Sequence, residues 1–178
     1  MKKLTLCFWL IAMVNHHVLA QTVTLTAGNY NGYNVSCFGS QNGSITATVT
    51  GGTPPYTFEW SNGETANIIT DLPAGYYAVR VNDADPFTDE VFEEITLTQS
   101  EPLVIEELVP YVYSNGYNVS GFGACNGTVT VNIYGGVLPY TYFWEPGHQT
   151  TASPVNLCAN ENQLEVTDAN GCGAGNGI

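Results

Sequence analysis

Side chains able to do chemistry are few in this sequence, and their spacing points away from catalysis. His148 is the one histidine beyond residue 20, and it sits in the loop Glu145-Pro146-Gly147-His148. A lone loop histidine of that kind is ordinarily just solvated. No serine lies in a G-x-S-x-G elbow, and no Cys/His pair has a local catalytic signature. Glu93-Glu94 and Glu106-Glu107 are paired acids, but neighbours on a strand point to opposite faces, whereas glycoside hydrolysis needs two carboxyls facing one cleft. The glycine-rich segments lack the lysine of a phosphate-binding loop. The chain is therefore expected not to be an enzyme. Asp83, Asp85, Asp89 and Glu90 gather hard oxygen donors in one short loop, the ligand type that calcium takes in sets of roughly six to eight. They have no EF-hand spacing and are the only metal candidates; otherwise no cofactor is expected. Tyr30, Tyr33, Tyr111, Tyr113 and Tyr117 are denser than a small core needs. An exposed platform of Tyr30, Tyr33, Tyr113 and Tyr117 would stack on sugar rings; the alternative is that these rings cap sheet edges.

The elements that carry these residues begin after a leader. Met1-Lys2-Lys3 is a basic start, Leu4 to Val14 an apolar stretch containing Cys7, and Val18-Leu19-Ala20 a small-residue end before Gln21. This is the pattern of a signal peptide over residues 1–20, cleaved after Ala20, and it is too short to span a bilayer. The chain is thus expected to be exported, to the cell surface or beyond. After cleavage one cation, Arg80, stands against 16 Asp and Glu, a formal charge of −15. Such a chain repels phosphate backbones, which excludes nucleic acid as a partner. It also lacks the ammonium groups that bind anionic lipid heads, and no membrane insertion is expected.

Asn31 to Trp60 recurs without a gap as Asn115 to Trp144, with 17 of 30 positions identical at an offset of 84. A fixed, domain-sized period means one folding unit built twice. Within a unit, Ile45, Ala47 and Val49 alternate with threonines, the period-2 mark of a strand with one buried face. Val129, Val131 and Ile133 do the same. Gly51-Gly52 and Gly135-Gly136 break these strands ahead of Tyr56-x-Phe58-x-Trp60 and Tyr140-x-Tyr142-x-Trp144. Leu72-Pro73-Ala74-Gly75 then turns into Tyr77, Val79 and Val81, with Arg80 on the outer face. In unit two Leu164 and Val166 follow at an offset of 85. Short strands, regular turns and one in-phase tryptophan per unit predict an all-β protein of two tandem immunoglobulin-like β-sandwich domains, with Trp60 and Trp144 as core anchors. The first spans residues 21–100 and the second 101–178. Gln99-Ser100-Glu101-Pro102 is too brief to be a tether. The second unit is expected to stop before its last strand.

The run NGYNVSCFG, the GG-x-x-PY-T core with its tryptophan, LPAG followed by Y-x-V-x-V, and T-DANGC at Thr167 to Cys172 resemble the SprB-type repeat of Bacteroidota surface adhesins. The resemblance covers essentially the whole chain after the leader. It implies an Ig-like fold, a cell-surface location, and a role in adhesion or gliding motility carried by repeat arrays. The implied partners are a surface polysaccharide or other extracellular ligand, and neighbouring repeats. The alternative is an accessory, glycan-binding region of a secreted hydrolase. Two cysteines depart from the repeat's pattern: Phe87 stands where unit two has Cys172, and Gly121 where unit one has Cys37. Four cysteines pair in three ways. In a sandwich of this type the connection into the second strand and the turn into the sixth lie at one end, and Cys125 and Cys158 occupy those places. A Cys125–Cys158 disulfide is therefore expected, with Cys37 and Cys172 unpaired.

Overall fold

The computed structural model describes residues 20–86 and 90–178. Residues 1–19, with Cys7, and the segment holding Phe87 and Asp89 lie outside them. Among the described residues every regular element is a β-strand. In unit one, β1 (Thr22–Ala27), β2 (Gly43–Thr50) and β4 (Ile68–Leu72) form one sheet in the order β1-β2-β4. Facing it, β3 (Thr57–Trp60), β5 (Gly75–Asn82) and β6 (Val91–Leu97) form another in the order β3-β5-β6. All pairs are antiparallel. The apolar members of each alternating strand turn inward: Val23, Ile45, Ala47, Ile69 and Leu72 from the first sheet meet Trp60, Tyr77, Val79, Val81 and Leu97 from the second. Each aliphatic side chain so buried contributes about 1.5–3 kcal/mol.

Unit two repeats this wiring. β7 (Val104–Pro110) pairs with β9 (Val129–Tyr134), and β8 (Cys125–Gly127) pairs with β11 (Leu157–Cys158). The opposite sheet has the order β10 (Thr141–Glu145), β12 (Gln163–Thr167), β13 (Gly173–Gly177). The counterpart of β2 is broken in two, as β8 and β9. Val129, Trp144, Leu157, Leu164 and Val166 make the core. Trp60 pairs with Val79 and Trp144 with Leu164, which fixes the residue-by-residue equivalence of the two units. Trp60 is 2% exposed and Trp144 0%, and each indole N–H finds a loop carbonyl, of Ala66 and Thr151, at 2.8 and 3.0 Å. Two facing antiparallel sheets wired in this order are the immunoglobulin-like sandwich, present twice in tandem.

The expectation that unit two stops before its last strand is corrected. β13 lies along β12 from Gln163↔Gly177 to Thr167↔Gly173, in the place β6 takes beside β5. Its sequence, Gly-Ala-Gly-Asn-Gly, carries no large apolar side chain and little strand propensity, so backbone pairing alone marks it.

The Gly-Gly turns have a specific duty. A Cβ on Gly135 would stand 1.9 Å from the Pro102 carbonyl oxygen, and one on Gly51 2.3 Å from that of Ala20. Each turn is therefore the seat over which the unit's first strand enters. The Tyr of the following Pro-Tyr pair donates its hydroxyl back to the same glycine's carbonyl, Tyr56 to Gly51 and Tyr140 to Gly135.

Candidate functional site

Two recurrent loops meet where the units join, and both are built by short polar side chains. In the loop before β2, the Asn42 amide accepts from the Ser36 N–H at 3.1 Å and donates to the Ser36 hydroxyl at 2.8 Å. Asn126 and Ser120 repeat this at 3.0 and 2.8 Å. In the turn after β12, the buried Asp168 carboxylate accepts N–H bonds from Val137, Asn170 and Cys172 at 2.8, 2.8 and 2.9 Å. Asp83 does the same in unit one for Thr53 and Asp85, at 2.7 and 3.0 Å. Carboxylates so placed fasten the Gly-Gly turn to the end of the sheet.

At the joint, the Asp168-Ala169-Asn170-Gly171 turn of unit two lies against the Asn31–Cys37 loop of unit one. Asn170 Nδ2 donates to the carbonyls of Ser36 and Tyr30 at 2.9 and 3.3 Å. Asn31 Nδ2 donates to Asn170 Oδ1 at 2.6 Å and to the Ala169 carbonyl at 3.4 Å. The linker is laced to the same loop: the N–H groups of Asn34 and Val35 donate to the Thr98 carbonyl, and Gly39 N–H to Gln99 Oε1 at 2.7 Å. Cys37 and Cys172, expected to be unpaired, are instead bonded to each other across 135 residues, with Cα atoms 5.7 Å apart. Neither has a partner in its own unit, and the docked turn brings the two thiols together across the joint. Cys125 and Cys158 are bonded at the other end of unit two, their Cα atoms 3.9 Å apart.

The tyrosines do not form one platform. Tyr30 and Tyr33 are half-buried at the joint, with their backbones bridged to each other and the Tyr30 hydroxyl on the Asn42 carbonyl at 3.2 Å. Tyr113 donates its hydroxyl to the Asn126 carbonyl at 2.9 Å and meets Tyr111 edge-on at 4.9 Å. Tyr117 is 70% exposed at the far end of unit two, with Phe122 wholly exposed beside it. Between them and Leu157, Cys158 and Ile178 opens a groove of about 1070 Å³.

Of the calcium candidates, Asp83 is engaged as described, Glu90 is exposed, and Asp89 lies outside the described residues. Among the described residues no three His, Cys, Asp or Glu side chains converge as a metal-binding group. His148 is exposed, with its Nδ1 3.4 Å from a Glu145 carboxylate oxygen. A surface that sequence reasoning passed over is the outer face of β3-β5-β6. There the cross-strand row Glu59, Arg80, Phe92 lies beside Tyr76 and Glu94. Tyr76 and Phe92 are 57% and 56% exposed. The Tyr76 phenol donates to Glu94 at 2.6 Å, and that bond to a carboxylate raises its pKa above the usual tyrosine value. The parity that turns Tyr77, Val79 and Val81 inward was the available signal for this face.

No curated protein matches the chain in sequence. Among solved structures, the C-terminal 282-residue fragment of intimin, in complex with the intimin-binding domain of its translocated receptor, is similar at 17% identity and a TM-score of 0.45. The match covers 88% of this chain and 63% of that one. The N-terminal eight Ig domains of Down syndrome cell adhesion molecule are similar at 11% identity and a TM-score of 0.42, covering 90% of this chain and 24% of theirs. Sidekick-1 immunoglobulin domains 1–5 give 12% and 0.42, covering 92% and 39%. This chain therefore spans less than two thirds of the length of each of these three. The segments 29–65 and 117–149, which hold the Gly-Gly turn and the core tryptophan of each unit, match the family described as SprB repeat.

Proposed function

We propose that this is an exported, non-catalytic surface protein acting in adhesion or gliding motility, with its repeats serving as spacers and contact modules. The observation that carries this reading is the joint: two units, each with a segment that matches the SprB repeat, fastened end to end by a disulfide and a cluster of amide hydrogen bonds. A fixed joint suits a spacer that holds its ends at a set separation. The contact chemistry is offered by the outer face of unit one. Two exposed aromatics, Tyr76 and Phe92, share this face with Arg80, the one cation beyond residue 20, and with Glu59 and Glu94; Phe92 is the cross-strand neighbour of Arg80. Aromatic faces edged with carboxylates and a guanidinium bind sugar rings by stacking and hydrogen bonding. The partner class is a surface polysaccharide or another extracellular glycan.

The test pairs cells with protein. Residues 21–178 are titrated onto purified cell-surface polysaccharides, and the gene is deleted from its host. We expect binding that weakens about tenfold with Tyr76→Ala or Phe92→Ala, together with reduced attachment or gliding of the deletion strain. No binding to any polysaccharide, with attachment and gliding unchanged, overturns the reading.

A further inference from the structure

Asn31–Ser36 and Asn115–Ser120 are the same six residues, Asn-Gly-Tyr-Asn-Val-Ser, held in two arrangements. In unit one Asn31 has a φ of 49° and turns its amide outward to Asn170, while the Ser36 carbonyl receives the Asn170 amide. In unit two Asn115 turns inward and donates to the Ser120 and Val119 carbonyls at 3.1 and 3.2 Å. The carbonyl equivalent to that of Ser36 is thus satisfied by the loop's own asparagine, which stands in for the amide of a docked turn. The aromatic ring follows: Tyr33 is half-buried, its counterpart Tyr117 exposed.

The adjoining groove differs in the same sense. In unit one Leu97 is buried so close to Gly43 that a Cβ there would meet its Cδ1 at 2.8 Å and Val35 at 3.3 Å. Around the equivalent Gly127, the three atoms nearest such a Cβ are two of Leu157 and the Asn118 carbonyl oxygen.

We propose that the Asn115–Gly123 loop and its groove seat another repeat unit, whose linker fills the groove as Leu97–Gln99 do and whose Asp-Ala-Asn-Gly turn lies on the loop. Asn115 occupies the seat until the incoming asparagine displaces it. The inference rests on reading the chain as part of a repeat array, and it names the partner's chemistry. The incoming turn must carry an amide, because its side chain donates to carbonyl oxygens. Unit one has Asp85 in that place, and a carboxylate there would face the carbonyls without an N–H to give. A second copy of this chain is therefore a poor occupant through unit one, and its Asn170 is already engaged at its own joint. Gly121, in the position of Cys37, makes the new joint reversible where the first is covalent.

The experiment extends the chain in register. Ile178 pairs with Asn162 as Ile95 pairs with Tyr77, so residues 96–178 are appended after Ile178, and Gly121→Cys is introduced. Non-reducing peptide mapping should find the new cysteine bonded to the appended copy of Cys172. Asn170→Asp in the appended copy should slow that bond about tenfold, the cost of losing its hydrogen bonds. Formation of the Cys125–Cys158 bridge in both copies certifies folding; with those bridges present, two alkylatable thiols overturn the proposal, as does an Asn170→Asp variant that cross-links at an undiminished rate. If the extended chain does not fold, residues 21–178 are titrated with a peptide of residues 96–101 and the Tyr117 ring resonances are followed. A saturable shift supports the seat, and none at concentrations of about 1 mM, where a weak groove would be filled, overturns it. The readout is connectivity, so its failure is separable from a failure of surface attachment.

Discussion

Replacing Cys37 and Cys172 together by serine isolates the contribution of the bond across the joint. The 135-residue span gives, by loop-closure entropy, about 5 kcal/mol at 25 °C if both units unfold together. The surrounding amide bonds from Asn31 and Asn170 stay in place in the variant, so the difference reports the closure of the loop. For a chain of this length a change of 1 kcal/mol moves Tm by about 2–4 °C, so the expected loss is about 10–20 °C. The loop encloses strands of both units, so the bond also ties their unfolding together. Calorimetry of residues 21–178 should therefore show one transition in the parent and two, earlier and partly resolved, in the double variant. The 33-residue span between Cys125 and Cys158 is worth about 4 kcal/mol by the same reasoning, and its removal should shift the transition of unit two alone. A double variant with the parent's Tm and a single transition would refute the reasoning.

Trp60→Ala and Trp144→Ala each remove a buried indole and should cost about 3–5 kcal/mol in denaturant unfolding; a loss below about 1 kcal/mol would place the side chain outside the core. Asp168→Asn keeps the shape but weakens three N–H bonds to a buried carboxylate, and a destabilisation of about 1.5–3 kcal/mol is expected by the same method. Mass spectrometry of the exported protein should find Gln21 at its amino terminus, cyclised, and a retained Met1 would contradict cleavage after Ala20.

The sandwich was legible because strand parity and turn glycines recur at equivalent positions: Ile45 and Val129, Val79 and Leu164, Gly51 and Gly135. β13 was not, because alternating glycines leave no hydrophobic period to read. The bond between Cys37 and Cys172 was missed because each cysteine was weighed against its own unit. The clue lay in complementarity: one odd cysteine per unit, each opposite a gap in the other. Asp83 carried a second signal. An acid recurring as Asp168 after the fifth long strand signals a structural acceptor, and the loop's other acids lent it the look of a metal ligand. The two states of Asn31 and Asn115 are not visible in the six residues that the loops share, which are identical from Asn to Ser.

The bond across the joint also sets how the protein answers a pull. Tension applied between Gln21 and Ile178 runs along the backbone to Cys37, crosses the sulfurs to Cys172, and leaves by β13. The chain between them, a sequence separation of 135 and about 470 Å when fully extended, is bypassed. Trp60 and Trp144 sit inside that bypassed length, and for as long as the sulfurs stay joined the load falls on β1 and β13 alone. In single-molecule stretching the oxidised protein should yield only its short ends, and a thiol reductant should release the hidden length.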